Sequence, residues 1–447
     1  MVDPLDASAL PLGWGLPFAG LLLSIAVGPL VAPRLWHAHY GKVAFCWALA
    51  LLAPFAAAYG TPQVLHLVAD AILRDYVPFL AILFSLFTIA GGICVRGALA
   101  GTPLANTGLL ALGTALASLM GTTGASMLLI RPLLSANASR RYRVHTVVFF
   151  VLLAGNVGGA LSPLGDPPLF IGFLKGVDFF WTTRALALPT LLIAGVLLAM
   201  FFALDSLLCR REPPRPPAPE DERAISIEGL RNFALLGGVV AVALMSGLWT
   251  PGVEFDVAGV NRPLQSVVRD VAFVLLGALS IAITPAGVRA HNQFHWGPIV
   301  EVAKIFAAIF VTIFPVLAIL EAGRNGALSG LIEIVGDGAG NPRNSVVYWM
   351  TGLLSALLDN APTYLVFFNL AGGNAQQLMG PGAQTLAAIS MGAVYFGALT
   401  YIGNAPNFMI RAIAEDRGVA MPSFFAYSGY ALAAMLPLLA LVALIWL

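Results

Sequence analysis

The chain has 447 residues, of which 59% are apolar or aromatic by type and only 10% are Asp, Glu, Lys or Arg. Soluble domains carry roughly 25% charged residues, which excludes an ordinary cytosolic enzyme, a disordered chain and a binder of nucleic acid with a basic face. A net charge of +1 gives no sign of a polyanionic partner, and a polytopic membrane protein remains.

Apolar runs long enough to span a bilayer recur at 14–33, 43–60, 77–95, 144–175, 184–208, 230–249, 266–284, 298–320, 384–411 and 424–447. No basic residue precedes the first run, which is therefore expected to be a transmembrane helix rather than a cleaved signal. Two further apolar stretches, 104–135 and 345–373, are interrupted in the middle by polar residues, glycine or proline. These are expected to be re-entrant hairpins. Cys46, Cys94 and Cys209 lie far apart and fit neither a disulfide framework nor a CxxC metal pattern.

The segment 209–229 contains CRREPPRPPAPEDER, whose prolines and mixed charges suit neither a helix nor burial in lipid. It divides the chain into 1–208 and 230–447, each expected to hold five spans and one hairpin. With that topology 15 basic residues collect on one face and 7 on the other, with Lys304 left inside a span. The basic face is expected to be cytoplasmic, which places both termini outside and the linker inside, in an integral protein of a bacterial inner (plasma) membrane.

The chain also repeats itself. Residues 159–168 (GALSPLGDPP) match 397–406 (GALTYIGNAP) at five of ten positions with an offset of 238. Upstream, 122–126 (TTGAS) falls opposite 359–363 (DNAPT) at an offset of 237. An odd number of crossings per half turns the second copy upside down, the arrangement of secondary transporters in which interrupted segments meet near the bilayer midplane. The expected fold is thus an all-α polytopic membrane protein with an inverted repeat and broken helices at the midplane.

The interruptions carry the chemistry. Gly165-Asp166-Pro167-Pro168 cannot remain helical, and its freed backbone groups need partners that lipid does not supply. Carbonyls with Asn156, Ser162, Asn360, Thr400, Asn404 and Asn407 offer oxygen ligands suited to a hard cation. An Asp at the centre of a membrane helix costs about 2.5 to 3.5 kcal/mol, so Asp166 and Asp359 are expected to work rather than pack. Carboxylates in one pocket can hold a proton or a cation, but not both comfortably, which is the basis of proton/cation exchange. Capping of a hairpin helix is the plainer reading of Asp359. Glu301 and Lys304 are expected to form a local i, i+3 ion pair, with proton coupling as the sharper alternative. His291 and His295 could sense pH or bind a metal, and Arg131 is the arginine placed to reach an anionic substrate.

The broken segment GNVGGALSPLGDPP (155–168), the hairpin tip LLDNAPT (357–363) and the second break YIGNAPN (401–407) resemble the ion-transporter superfamily. That group includes sodium/proton antiporters, arsenite permeases and citrate or dicarboxylate symporters, and the chain looks most like its sodium/proton antiporter or citrate-transporter branch. The resemblance covers nearly the whole chain. It implies that cation and substrate are bound by Thr122, Thr123, Gly124 and Ser126 with Asn156, Ser162, Gly165 and Asp166. In the second half it implies Asp359, Asn360, Pro362 and Thr363 with Thr400, Gly403, Asn404 and Asn407. It also implies a homodimer among lipids, with no cofactor beyond transported Na⁺ and H⁺. The dicarboxylate symporters resemble Ser-Asn-Thr at the hairpin tips, whereas these tips read Thr-Thr-Gly and Asp-Asn-Ala. A carboxylate at a tip repels an anionic substrate, which favours Na⁺/H⁺ exchange over symport of citrate or another carboxylate. An intramembrane aspartyl protease is the alternative from another class, but Pro163 stands where its Gly-x-Gly-Asp motif needs glycine. No phosphate-binding loop is present, so ATP-driven pumping is not indicated.

Overall fold

The computed structural model describes residues 7–97, 100–212, 226–336 and 342–447. In chain order the helices of the first half are α1 (Leu16–Val31), α2 (Pro33–Tyr59), α3 (Thr61–Asp70), α4 (Val77–Ala90), α5 (Pro103–Met120), α6 (Thr122–Ala136), α7 (Val144–Leu153), α8 (Pro167–Leu174) and α9 (Trp181–Cys209). Those of the second are α10 (Arg231–Leu248), α11 (Leu264–Ile283), α12 (Ala286–His291), α13 (Gly297–Glu321), α14 (Ser329–Val335), α15 (Asn344–Leu357), α16 (Asn360–Leu370), α17 (Ala375–Met379), α18 (Ala383–Phe396), α19 (Ala405–Asp416) and α20 (Phe424–Trp446). A π-helical turn, Ala71–Tyr76, joins α3 to α4. Two small antiparallel pairs complete the described chain: β1 (Cys94–Arg96) with β2 (Ser226–Glu228), and β3 (Glu254–Val257) with β4 (Val260–Pro263).

Among the described residues, ten helices are long and apolar enough to cross a membrane. The chain is an all-α polytopic membrane protein. The ten differ in two places from those expected. Helix α5 reaches span length alone, at 18 residues, because its polar residues stay helical up to Met120. The expected run 384–411 is two shorter helices, α18 and α19, with non-helical chain between them. Helix α2 also begins at Pro33 rather than at 43: proline suits a first turn, and the polar residues that follow do not break the helix. Most of the linker, 213–225, lies outside the described residues.

Four interruptions shape the centre. At Gly121 (φ +82°) the chain turns and α6 packs back against α5. A residue with a Cβ would be strained there. At Asp359 the chain turns likewise, and α16 packs on α15. Helix α7 gives way to a short 3₁₀ turn, Val157–Leu161, then to extended chain, before Pro167 and Pro168 open α8. Helix α18 does the same through Gly397–Leu399 before α19. Proline in the first turn removes no helical hydrogen bond, so the motif both ends one helix and begins the next.

These interrupted segments form the interior. Of the window Val144–Leu161, 83% is buried, against 28% for Arg231–Leu248, Leu264–Ile283 and Phe424–Trp446. The outer helices present Leu275, Phe425 and Leu444 outward, as lipid contact requires.

A buried ionic cluster closes the base of the first hairpin. Asp205 of α9 is fully buried. Its Oδ1 meets Arg140 Nη2 at 2.5 Å and His145 Nε2 at 2.8 Å. Its Oδ2 accepts from Asn106 Nδ2 at 2.9 Å. Asn106 and Asn137 exchange side-chain hydrogen bonds of 2.9 and 2.8 Å between α5 and the end of α6. Arg140 is therefore more than a topology anchor: it ties the hairpin to α7 and α9. Removing one partner of a buried ion pair leaves an uncompensated charge and costs about 3 to 5 kcal/mol. Asp205→Ala is thus expected to lower the melting temperature in detergent by several degrees, and a change confined to measurement error would refute this role.

Candidate functional site

Asp166 is the N-cap of α8, in extended conformation and 2% exposed. Its Oδ1 accepts from Thr122 Oγ1 at 3.2 Å and from Asn404 Nδ2 at 3.0 Å. Its Oδ2 accepts from Asn360 Nδ2 at 2.5 Å. Thr122 opens α6, Asn360 opens α16 and Asn404 is the N-cap of α19. Four helix N-termini, two from each half of the chain, therefore converge on one carboxylate. Its side-chain donors are all neutral. The positive ends of the helix dipoles supply the remaining favourable field.

The two breaks are built alike. Ser162 Oγ donates to Ser118 O in the turn region of the first hairpin, and accepts from Leu164 N at 3.1 Å. Thr400 Oγ1 donates to Ala356 O at 2.5 Å and accepts from Ile402 N at 3.2 Å. Each of these three residues in the first half is matched 238 positions later. Both hydroxyls are thus consumed in pinning a break to its hairpin. Gly165 and Gly403 are needed because the chain passes against itself: a Cβ would stand 2.1 Å from Gly159 O and 2.7 Å from Gly397 O, respectively.

Asn156 and Asn407 join the breaks to each other. Asn156 Nδ2 donates to Asn407 Oδ1 and to Val151 O, both at 2.8 Å. Asn407 Nδ2 donates to the carbonyls of Gly397 and Thr400, also at 2.8 Å. Asn404 Nδ2 also lies 3.3 Å from Asn156 Oδ1 and from Gly155 O. Asn156 and Asn407 therefore satisfy backbone, while Asn404 and Asn360 face the carboxylate.

The register of the hairpin tips differs from the expected one. Gly121 and Asp359, the two N-caps, are 238 residues apart, as are Thr122 and Asn360. The tips thus share the offset of the breaks, rather than 237. Asp166 is matched by Asn404, and Asp359 by Gly121, so the two aspartates are not counterparts. Asp359 is half-buried and caps α16, accepting from Ala361 N at 3.1 Å. It is not among the hydrogen-bond partners of Asp166. Thr363 Oγ1 donates to Asp359 O at 2.9 Å, and Pro362 sits in the first turn of α16. Both shape the tip.

Two buried oxygens near Asp166 lack hydrogen-bond partners: Asn360 Oδ1, and Ser126 Oγ one turn beyond Thr122. A cavity of about 50 Å³ reaches the carboxylate from the first-half side. Thr122, Thr123, Gly124, Gly165 and Asp166 line it with Phe79, Phe87 and Phe170. Gly124 also lets α6 approach α4, where a Cβ would meet Ala90 Cβ at 3.1 Å. Sequence reasoning missed Gly121 and Ser118; a glycine ending an apolar run and a serine within one were the available signals.

Glu301 and Lys304 lie elsewhere, between α13 and α2, and they do not pair. The exposed Lys304 ammonium stands 5.6 Å from the centroid of the Tyr40 ring.

Residues 7–447 match the model of a family described as "Putative citrate transport". The chain belongs to that family. It is similar to an uncharacterized transporter of Mycobacterium bovis and to one of Mycobacterium tuberculosis, each 23% identical over 339 residues, which are 73% of this chain and 73% of the relative. The protein is thus a membrane transporter and not an enzyme. Asp166 is its most enclosed hydrogen-bonded carboxylate at the meeting of the two halves.

Overpacked sites lose about 1 to 3 kcal/mol. Gly165→Ala forces a contact with backbone that cannot rotate away, so it is expected to destabilise the protein more than Gly403→Ala does, by thermal melting in detergent. Equal, negligible shifts would show that the breaks have room to relax.

Proposed function

We propose that the protein is a secondary active transporter in which a cation such as Na⁺ and a proton compete for Asp166. The supporting observation is the enclosure of this carboxylate by Thr122, Asn360 and Asn404, all neutral. A carboxylate without a cationic side chain is stabilised further by a proton or a metal ion, and the two exclude each other. Asn360 Oδ1 and Ser126 Oγ are further oxygens for a hard cation, which favours several such ligands. The asparagine amide can present either its oxygen or its nitrogen to the site. The residues 1–208 and 230–447 are taken as the two inverted halves, with the basic face cytoplasmic. Alternating access would then move the hairpin tips relative to the scaffold while Asp166 exchanges its occupant.

The charge of the site disfavours a bare anion. Helix N-termini attract carboxylates, but here a resident carboxylate already occupies their meeting point and Asp359 adds a second nearby. The family description nonetheless supports a second reading, import of citrate or a related carboxylate. Citrate would then enter together with a cation, which stands between it and Asp166.

Purified protein in proteoliposomes tests both. Na⁺-dependent dissipation of a pH gradient is expected, and Asp166→Asn should slow it on the order of 100-fold, equivalent to about 2.7 kcal/mol, while the protein stays folded. Undiminished exchange by this variant would end the proposal. Uptake of radiolabelled citrate dependent on Na⁺ or a divalent cation, without net Na⁺/H⁺ exchange, would establish the second reading instead.

A further inference from the structure

A second polar cavity, of about 270 Å³, lies apart from the Asp166 cluster. Arg131, Ser135, His291, Asn292 and Arg417 line it beside β1. None of its described lining residues is acidic. Arg417 follows the last residue of α19, so its charge is at home at the negative end of a helix. Arg131 is not explained in this way. It stands inside α6, more than a turn from its end, and its Nε and Nη1 are buried without hydrogen-bond partners. Arg417 lines the same cavity, so two like charges share it. Asn292 Nδ2 donates to Gly91 O and Ile93 O, which fixes this side chain at the cavity wall.

We infer that this cavity is an oxyanion site, in which a carboxylate or phosphate group bridges Arg131 and Arg417. A guanidinium presents a fork of N–H donors that matches two oxygens of such a group. Nε and Nη1 of Arg131 are buried without partners, and an anion engages them once the side chain turns into the cavity. The bridging anion also removes the repulsion between the two cations, and Ser135 Oγ is a further donor at the wall. The site sits about 14 Å along α6 from Thr122, nine residues at 1.5 Å each. It joins the far ends of α6 and α19, which pack together and whose near ends both touch Asp166. A soluble polycarboxylate or phosphate and the phosphate of a lipid headgroup share this chemistry.

The test uses the full chain in nanodiscs of phosphatidylcholine, titrated calorimetrically with citrate and with inorganic phosphate. Saturable binding of at least one is expected. Arg131→Gln and the exposed Arg417→Gln should each weaken it by about 10-fold or more, whereas Asp166→Asn should leave it in place, separating this site from the central one. Nanodiscs containing phosphatidylglycerol distinguish the sources: loss of the titration there identifies a lipid headgroup as occupant, and an unchanged titration identifies a soluble anion. Binding that survives both arginine substitutions would overturn the inference. So would the absence of binding by either probe together with no Arg131-dependent stabilisation by phosphatidylglycerol.

Discussion

One buried carboxylate organises this fold. Asp166 is buried away from water, and a charge in such a place persists only if donors and dipoles surround it. Three neutral donors, from α6, α16 and α19, and the start of α8 itself do so. Each helix N-terminus carries roughly half a positive charge, so four of them more than offset one carboxylate, and the nearby Asp359 brings the total close to balance. A helix can present its N-terminus at such depth only if the chain is interrupted there. The two hairpin turns and the two breaks are therefore one requirement met four times.

Interruption has its own cost, because freed backbone groups must be satisfied without water. The Ser162 and Thr400 hydroxyls each staple a break to a hairpin carbonyl, and Asn407 takes up the carbonyls of Gly397 and Thr400. Gly165 and Gly403 let the chain fold against itself so that these bonds are short. Most of the polar residues around Asp166 thus maintain the break. Asn360, which donates to the carboxylate, keeps its Oδ1 without a partner.

Much of this was legible in the sequence, for a physical reason. Gly-Asp-Pro-Pro at 165–168 and Gly-Asn-Ala-Pro at 403–406 cannot continue a helix, so the breaks and their 238-residue spacing announce themselves. The hairpin tips were harder. Gly121 has no side chain to compare with Asp359, and aligning the tips on visible residues shifts them by one position and makes the two aspartates look like partners. Asp205 was missed because it lies near the end of an apolar helix, where a carboxylate is expected to reach water. Only the fold brings Arg140, His145 and Asn106 around it. Glu301 and Lys304 show the converse. Helical spacing permits a pair, but Lys304 lies over the Tyr40 ring of α2 instead.

The separation of charge along α6 and α19 bears on how such a protein can work. Both helices begin at the carboxylate, and the cavity at their far ends is lined by Arg131 of α6 and by Arg417, the residue that ends α19. An anion drawn to the arginines and a cation drawn to Asp166 would therefore act on the same two helices from opposite ends. Because the helices pack against each other, a shift that tightens one end is transmitted to the other as a rigid displacement. Coupling between ions of opposite sign then needs no direct contact between them: it needs only that α6 and α19 move as a pair, which their shared hydrogen bonds to Asp166 favour.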